Sequence, residues 1–318
     1  MKIWDSVYGD IDISEKVLLE LINSPSLKRL QKISQCGLPQ KYNSVKTYSR
    51  FEHSLGVMCL LHRLKAPLTE QIVGLLHDVS HLAFSHVAEW VISNEEGEKQ
   101  DLNEKLTKKF VLESEVADIL QKYGYDPEKI TDLLNFPLVR AKAPKVTADN
   151  LDYSLRDINY WFDKNISSVL KSVEIENEKI VFLDQQTALF FAKSFIKLQK
   201  DFYGSFDNTM RYYILSNTLK YAVKKDLLKM DDFYGVEGPI IDILEKSEDK
   251  FIKEQIKLLQ AKYFDGKPLF NKRIKKRFYH IDPDVKVGRR TARLTDIYPE
   301  YKDKLESERR VYERGIVI

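Results

Sequence analysis

The stretch GLLHDVSHLAFSH, residues 74–86, sets His77 beside Asp78 inside an otherwise apolar run. An ionisable pair in such surroundings is costly unless it is paired or ligates something. The flanking pattern predicts a helix opened by Pro67, with Ile72, Val73, Leu75, Leu76 and Val79 as its apolar body and the His-Asp pair near its middle. Adjacent helical residues point about 100° apart, so one ion over the face between them can take both. Imidazole nitrogen and carboxylate oxygen together suit divalent Mn, Fe, Co, Ni or Zn. The chain has six histidines, and His53, His77, His81 and His86 fall within one short span. His81, four residues after His77, shares its face on this reading and is placed to move a proton. His86 lies beyond a break at Phe84-Ser85.

Outward from this run, helical periodicity dominates. Ser14 to Ile33 reads as a helix interrupted at Ser24-Pro25, and Arg50 to Leu64, Lys105 to Tyr123, Pro127 to Leu134 and Val146 to Phe162 follow as further helices. In the last of these, Asp149, Asp152, Tyr153, Arg156 and Asp157 recur at three- and four-residue intervals and share a stripe. A charged stripe is ordinarily a solvated face; the tyrosine within it, and histidines to face it, point to a site instead. Residues 169–175 and 179–183 alternate around Glu176-Asn177-Glu178 as a hairpin. Gln185 to Met230 reads as one or two aromatic-rich helices, with Phe190, Phe191, Phe195, Phe202, Tyr203, Tyr212 and Tyr213 assigned to core or subunit contacts. Two more helices reach Tyr263. A basic tail then carries Lys272, Arg273, Lys275, Lys276 and Arg277. His62 reads as a surface residue, and His280 has no metal-spaced partner.

The 318 residues allow two domains or one elaborated one. Hydrophobic residues at 43% and charged residues at 31% exclude a disordered chain, and no apolar run approaches the ~18 residues of a membrane span. The opening MKIWDSVYGDIDIS lacks the apolar core of a signal peptide. Cys36 and Cys59 in apolar-periodic stretches fit reduced thiols and a cytoplasmic protein. A net charge of +3 does not by itself imply nucleic acid.

Three segments in order, SRFEHSLGV (49–57), LLHDVSHLAFSH (75–86) and ADNLDYSLRD (148–157), closely resemble the signatures of the HD-domain metal-dependent phosphohydrolases. The branch they resemble most is that of the deoxynucleoside triphosphate triphosphohydrolases, and WDSVYGDIDIS (4–14) and LKRLQKISQCG (27–37) share the likeness. The resemblance implies an all-α HD fold with a small β-hairpin and a helical C-terminal half, divided as a core over 1–165 and a second region over 166–318. It implies one divalent ion (Mn, Fe, Mg, Co, Ni or Zn) on His53, His77, Asp78 and Asp149, with His81 and His86 as catalytic histidines. Arg50 then meets phosphate, Gln35 the sugar, and Tyr153 with Asp157 form the sugar-recognition pair.

Two positions depart from the family pattern. Asn150 stands where a basic residue usually follows the last metal-binding aspartate, and Asn43-Ser44 replaces a Pro-Gly turn. A triphosphate then needs another cation, for which Lys197 and Arg211 are the candidates. The implied function is hydrolysis of a deoxynucleoside triphosphate to nucleoside and triphosphate. The alternatives are the same chemistry on another nucleotide or a phosphodiester, or a nucleotide- or nucleic-acid-binding module working through the basic tail. The partners expected are a nucleotide and further copies of the chain, as a dimer or larger assembly, and no membrane.

Overall fold

The computed structural model describes residues 1–92, 100–162 and 166–318, so the expected boundary at residue 165 lies outside the described residues. The chain opens with an antiparallel hairpin, β1 (Lys2–Asp5) and β2 (Gly9–Asp12). Helices α1 (Lys16–Asn23) and α2 (Pro25–Arg29) follow, separated where expected: Ser24 caps α2 by accepting Leu27 N–H at 3.3 Å. Next come α3 (Arg50–Arg63), α4 (Leu68–Leu76), α5 (Ser85–Ile92), α6 (Gln100–Leu112), α7 (Glu115–Lys122), α8 (Pro127–Thr131) and α9 (Ala148–Phe162).

The second half begins with α10 (Ser167–Lys171) and the hairpin β3 (Val173–Glu176) and β4 (Lys179–Phe182). Helices α11 (Gln185–Leu198) and α12 (Phe206–Lys224) are joined by a wide π turn at Gln199–Tyr203. After α13 (Glu237–Lys246) and α14 (Lys250–Leu259), the tail forms β5 (Arg273–Ile274), β6 (Asp284–Val287), β7 (Arg290–Arg293), α15 (Leu294–Ile297), α16 (Pro299–Arg314) and β8 (Ile316–Val317).

The fold is mostly helical, as expected, but a lone hairpin understates its sheet content. The hairpin is half of a four-stranded mixed sheet in the order β3–β4–β6–β7, in which β4 and β6 run parallel through Val181 opposite Asp284. Two strands of this sheet lie about a hundred residues from the others, a pairing that local alternation cannot reveal. Residues 169–171 belong to α10 rather than to the hairpin. The span from Lys105 to Tyr123 is two helices, broken between Leu112 and Glu115.

The largest revision concerns His77 and Asp78. Helix α4 ends at Leu76, and the pair occupies the first residues beyond it. Tight turns carry the chain onward, with Val79 N–H on Leu76 O at 2.9 Å and His81 N–H on Asp78 O at 3.0 Å. Arg29 replaces the lost helical partners: its guanidinium donates to the carbonyls of Val79 and His81 at 2.9 and 2.8 Å and to those of Tyr234 and Gly235 at 3.1 and 3.0 Å. A buried carbonyl must find a donor somewhere, and here one side chain serves four. His81 therefore does not share a helical face with His77.

Two apolar clusters fill the interior. One joins α1, α3, α4, α9 and α11 with the mixed sheet, and the other joins α5, α12, α13 and α14. Each draws residues from both sides of position 165. Phe191 and Phe195 are core residues of the first, so much of the aromatic surface of α11 is covered within the chain.

Candidate metal centre and active-site cavity

Helix α3 is fixed at its start by a capping box: Ser49 Oγ accepts Glu52 N–H at 3.2 Å, and Glu52 accepts Ser49 N–H at 2.8 Å. The preceding chain bridges back, with Arg50 N–H on Ile33 O and Gln35 N–H on Tyr48 O, both at 2.9 Å. This bridge sets Gln35 opposite Tyr48 and Arg50 opposite Ile33, and three residues into the helix His53 faces α9. His53 Nδ1 lies 2.8 Å from Asp152 Oδ2, which fixes the ring and turns Nε2 toward Asp149.

Asp152 is itself held. Arg156 Nε donates to it at 2.9 Å and Tyr8 Oη at 2.7 Å, and Arg156 Nη2 donates to Asp5 at 2.6 Å. The N-terminal hairpin thus sets the orientation of a histidine on α3. Burial pushes the Asp152 carboxyl up, but Arg156 and His53 outweigh it and hold it below the usual range. Gly56 makes this network possible: a Cβ there would sit 1.9 Å from Arg156 Nη2 and 2.2 Å from Asp152 Oδ1.

Four groups converge on one point. His53 Nε2 is 3.2 Å from Asp149 Oδ1 and 3.7 Å from Asp78 Oδ2, while His77 Nε2 is 3.5 Å from Asp78 Oδ1 and 3.8 Å from Asp149 Oδ1. Ligand atoms about 2.1 Å from a shared divalent ion stand roughly 3.0–3.5 Å apart, so the spacing fits with little adjustment. His53, His77 and Asp149 alone already bring ligand atoms within 4.8 Å of one another. His77 Nδ1 is 2.8 Å from Gly74 O, which directs its lone pair to Nε2, and that buried nitrogen has no hydrogen-bond partner. Burial lowers the His53 pKa, yet its bonds to Asp149 and Asp152 prevail and raise it to about 9. The donor set, two histidines and two carboxylates, suits a divalent ion and leaves coordination positions open for substrate.

Arg50 borders the cluster. Its Nη1 donates to Asp78 at 2.6 Å and its Nε to Ser85 Oγ at 3.0 Å, while Nη2 is buried and unpaired. Phe84 and Ser85 are left-handed, with φ of 66° and 44°, which costs on the order of 1–3 kcal/mol each in a non-glycine residue. Their surroundings hold them: Glu237 accepts Phe84 N–H at 3.3 Å and Ser34 N–H at 2.8 Å, and Ser85 Oγ donates to Ser34 O at 3.0 Å. Gly37 packs against this bend so closely that a Cβ would lie 2.4 Å from Phe84 O.

The bend starts α5 and turns His86 back toward His81, with ring centroids 5.6 Å apart. His81 Nε2 is 3.1 Å from Asp78 Oδ1. Burial and Arg50 push the His81 pKa down to about 4. His86 Nδ1 is 3.3 Å from Glu89, whose carboxyl burial would raise but His86 holds below its usual range.

A cavity of about 280 Å³ opens over these groups. His77, Asp78, His81, His86, Arg50, Gln35, Asp149, Tyr153 and Asp157 all line it, and His53 lies beneath, fully buried. At the end formed by α9, Tyr203 donates a hydrogen bond to Asp157, and the Tyr153 ring stands 6.1 Å from that of Tyr203. Burial pushes the Asp157 pKa up to about 7 against that bond.

Among the described residues, Asn150, Lys197 and Arg211 do not line the cavity. The Asn150 amide caps α9, accepting Thr147 N–H at 3.0 Å and donating to Lys145 O at 2.9 Å. Lys197 pairs with Asp201 on the surface. Arg211 is buried on Asp207 and on the carbonyls of Tyr42, Leu259 and Ala261. Neither is therefore the substitute cation.

Sequence reasoning passed over Asp152, which it placed on the stripe but gave no task, and Tyr203 and Tyr212, which line the cavity rather than serving the core or a subunit contact alone. The π turn is the feature that directs Tyr203 inward, and such turns often mark functional positions. Lys275, Lys276 and Arg277 of the basic tail line the cavity as well.

Comparison with known proteins agrees with this geometry. Residues 50–143 match the HD domain family. The uncharacterized protein YdhJ of Bacillus subtilis is 30% identical across the whole chain and 98% of its own length. The metal-dependent phosphohydrolase cns2 of Cordyceps militaris is 32% identical over 63% of this chain and 60% of its own. The human deoxynucleoside triphosphate triphosphohydrolase SAMHD1 is 25% identical over 74% of this chain and 45% of its own. The chain thus spans less than two thirds of the length of both cns2 and human SAMHD1. With a full-length relative, the domain match and a His-Asp cluster shaped for a divalent ion, the chain belongs to the HD-domain metal-dependent phosphohydrolases.

Proposed function

We propose that the protein hydrolyses a deoxynucleoside triphosphate to deoxynucleoside and triphosphate. The observation that carries this reading is a set of four buried polar atoms facing one cavity without partners: His77 Nε2, Arg50 Nη2, Gln35 Oε1 and Asp157 Oδ1. Buried polar groups are nearly always satisfied, and four orphans together mark a ligand position. Two belong with phosphate and metal, and two are acceptors suited to sugar hydroxyls or a base. The activity in the name of the human relative supports the same reading.

His53, His77, Asp78 and Asp149 would hold the ion. A divalent ion supplies Lewis acidity toward a phosphoryl oxygen and favours deprotonation of water. Arg50 Nη2 donates to a phosphate oxygen and offsets charge that builds as the bond to phosphorus breaks. Burial and Arg50 lower the His81 pKa to about 4, and its Nε2–H donates to Asp78, so Nδ1 is the nitrogen that would accept the proton of the attacking water. Glu89 orients His86, which donates a proton to the departing O5′. The bond between the α-phosphorus and O5′ breaks, and the water oxygen stays with triphosphate. Tyr153 packs on the sugar ring, and Asp157 accepts from its hydroxyl. Association into dimers or larger assemblies is a separate part of the proposal, read from light scattering with and without nucleotide.

The test is a panel of nucleoside mono- and triphosphates and phosphodiesters on ion-loaded protein in ¹⁸O-labelled water. Inorganic triphosphate carrying the label is the expected product. Release of pyrophosphate or orthophosphate, or activity confined to monophosphates or diesters, would replace this reading with another phosphohydrolase activity.

A further inference from the structure

Lys275, Lys276, Arg277 and Tyr279 reach the cavity from a segment that crosses it between β5 and β6. Both ends of this strap are fastened. At one end β5 pairs with β8, and Ile318 exchanges backbone hydrogen bonds with Lys272 at 2.8 and 3.1 Å. At the other, Asp282 N–H donates to Pro144 O at 2.8 Å, Tyr301 Oη to Ile281 O at 2.7 Å, and Thr295 Oγ1 to Asp282 at 2.8 Å. In between, Lys276 Nζ donates to Tyr203 O at 2.7 Å and lies 4.7 Å from the centre of the Tyr212 ring. The strap is thus tied directly to the π turn that presents Tyr203.

Charge in the cavity is unevenly placed. Its lining includes the cations Arg50, Arg140, Lys275, Lys276 and Arg277 and the acids Asp78, Glu89, Asp149 and Asp157. Asp78 and Asp149 belong to the metal cluster, Glu89 faces His86, and Asp157 faces Tyr203. The acids therefore gather around the metal and sugar groups, whereas the strap contributes three consecutive cations and no acid. Closely spaced cations on one cavity wall favour a ligand with several negative charges over one with a single phosphate.

We propose that Lys275 and Arg277 of the strap, with Arg140 from the loop before α9, form a polyphosphate subsite of the active cavity, distinct from the phosphate position at Arg50 and the metal cluster. Lys276 positions the strap through Tyr203. The subsite takes the phosphates beyond the one under attack, the task for which Asn150, Lys197 and Arg211 are misplaced. This deepens the proposed function and rests on it for the identity of the substrate, but its ligand chemistry, a linear polyphosphate, is testable alone.

The experiment measures binding of inorganic tripolyphosphate and of orthophosphate to ion-loaded, full-length protein by calorimetry. The double variant Lys275→Ala/Arg277→Ala is compared with Arg289→Ala/Arg290→Ala, which removes equal charge from the β6–β7 hairpin outside the cavity. Both strap side chains are exposed, so the fold is retained, and ion content and thermal melting verify it. The strap variant is expected to lose roughly 10- to 100-fold in tripolyphosphate affinity, as charge-assisted bonds predict, with orthophosphate changed less than about threefold. Lys275→Arg/Arg277→Lys should restore most of the loss. Equal tripolyphosphate affinity in parent and strap variant overturns the subsite, as does an equal loss in the β6–β7 control. If the parent cleaves no nucleoside triphosphate yet binds tripolyphosphate through the strap, the proposed substrate falls and the subsite stands.

Discussion

Asp157 is buried at one end of the cavity, where the hydroxyls of Tyr203 and Tyr48 and the more distant charge of His53 do not offset the loss of water. Burial pushes its pKa up to about 7, against the bond donated by Tyr203. A carboxyl raised in the folded state binds its proton more tightly there than in the unfolded chain. Its contribution to stability is present below the ordinary carboxylate pKa near 4 and is lost as pH rises through about 7. Asp157→Asn removes this titration while keeping the shape. Parent and variant melting temperatures, measured with the same ion content, should diverge between pH 5 and 8, with the parent losing more. A raised pKa is worth about 1.4 kcal/mol per unit, so a difference on the order of 1–4 kcal/mol is expected. Parallel curves would mean that the carboxyl is ionised throughout. Asp157 Oδ1, buried and unpaired, is the acceptor that the proposed function gives to a sugar hydroxyl.

Among the elements, the segment from His77 to Phe84 carries the most chemistry with the least secondary structure. Arg29 holds its carbonyls from α2, and burial lowers the arginine pKa to about 10. Arg29→Met keeps much of the side-chain volume but leaves four carbonyls without their donor, and lost bonds to a charged group cost about 1.5–3 kcal/mol each before relaxation. The expected result is a clear fall in melting temperature together with weaker ion binding, seen by titration of metal into apoprotein. A stability loss with unchanged ion affinity would show that the turn keeps its shape without Arg29. The sequence announced the residue types of this segment but not its conformation. The apolar positions at Leu75, Leu76 and Val79 keep helical spacing past the point where the helix ends, and the carbonyl acceptors of Arg29 have no signature in the chain. His77 and Asp78 were legible because such groups are costly in an apolar run, whereas Asp149 entered the set only through the family resemblance. Asp152 was half legible, on the stripe but without its partner His53 in view. The strap was not, because Lys and Arg on a tail look alike whether they face solvent or a cavity.

At the scale of the whole molecule, the site is assembled from both halves of the chain, and its parts differ in how far apart they lie in sequence. The four residues of the His-Asp cluster fall between positions 53 and 149, on α3, α9 and the turn that follows α4, and α3 packs against both helices. The strap depends on β5 meeting β8 and on β6 meeting β4, where Val181 pairs with Asp284 across about a hundred residues. Parallel pairing over such a separation forms slowly, because the intervening chain must be ordered before the contact gains anything. Refolding should therefore pass through a stage that captures the divalent ion before it can retain tripolyphosphate. Stopped-flow refolding followed by a metal-sensitive probe and by tripolyphosphate retention would separate the two, with the ion signal leading. In that interval the protein would be a metal-binding body with an open roof, without the polyphosphate subsite proposed above. Selectivity among phosphates would then mature later than the capacity for hydrolysis, and a chain caught before the sheet closes would be a less discriminating catalyst.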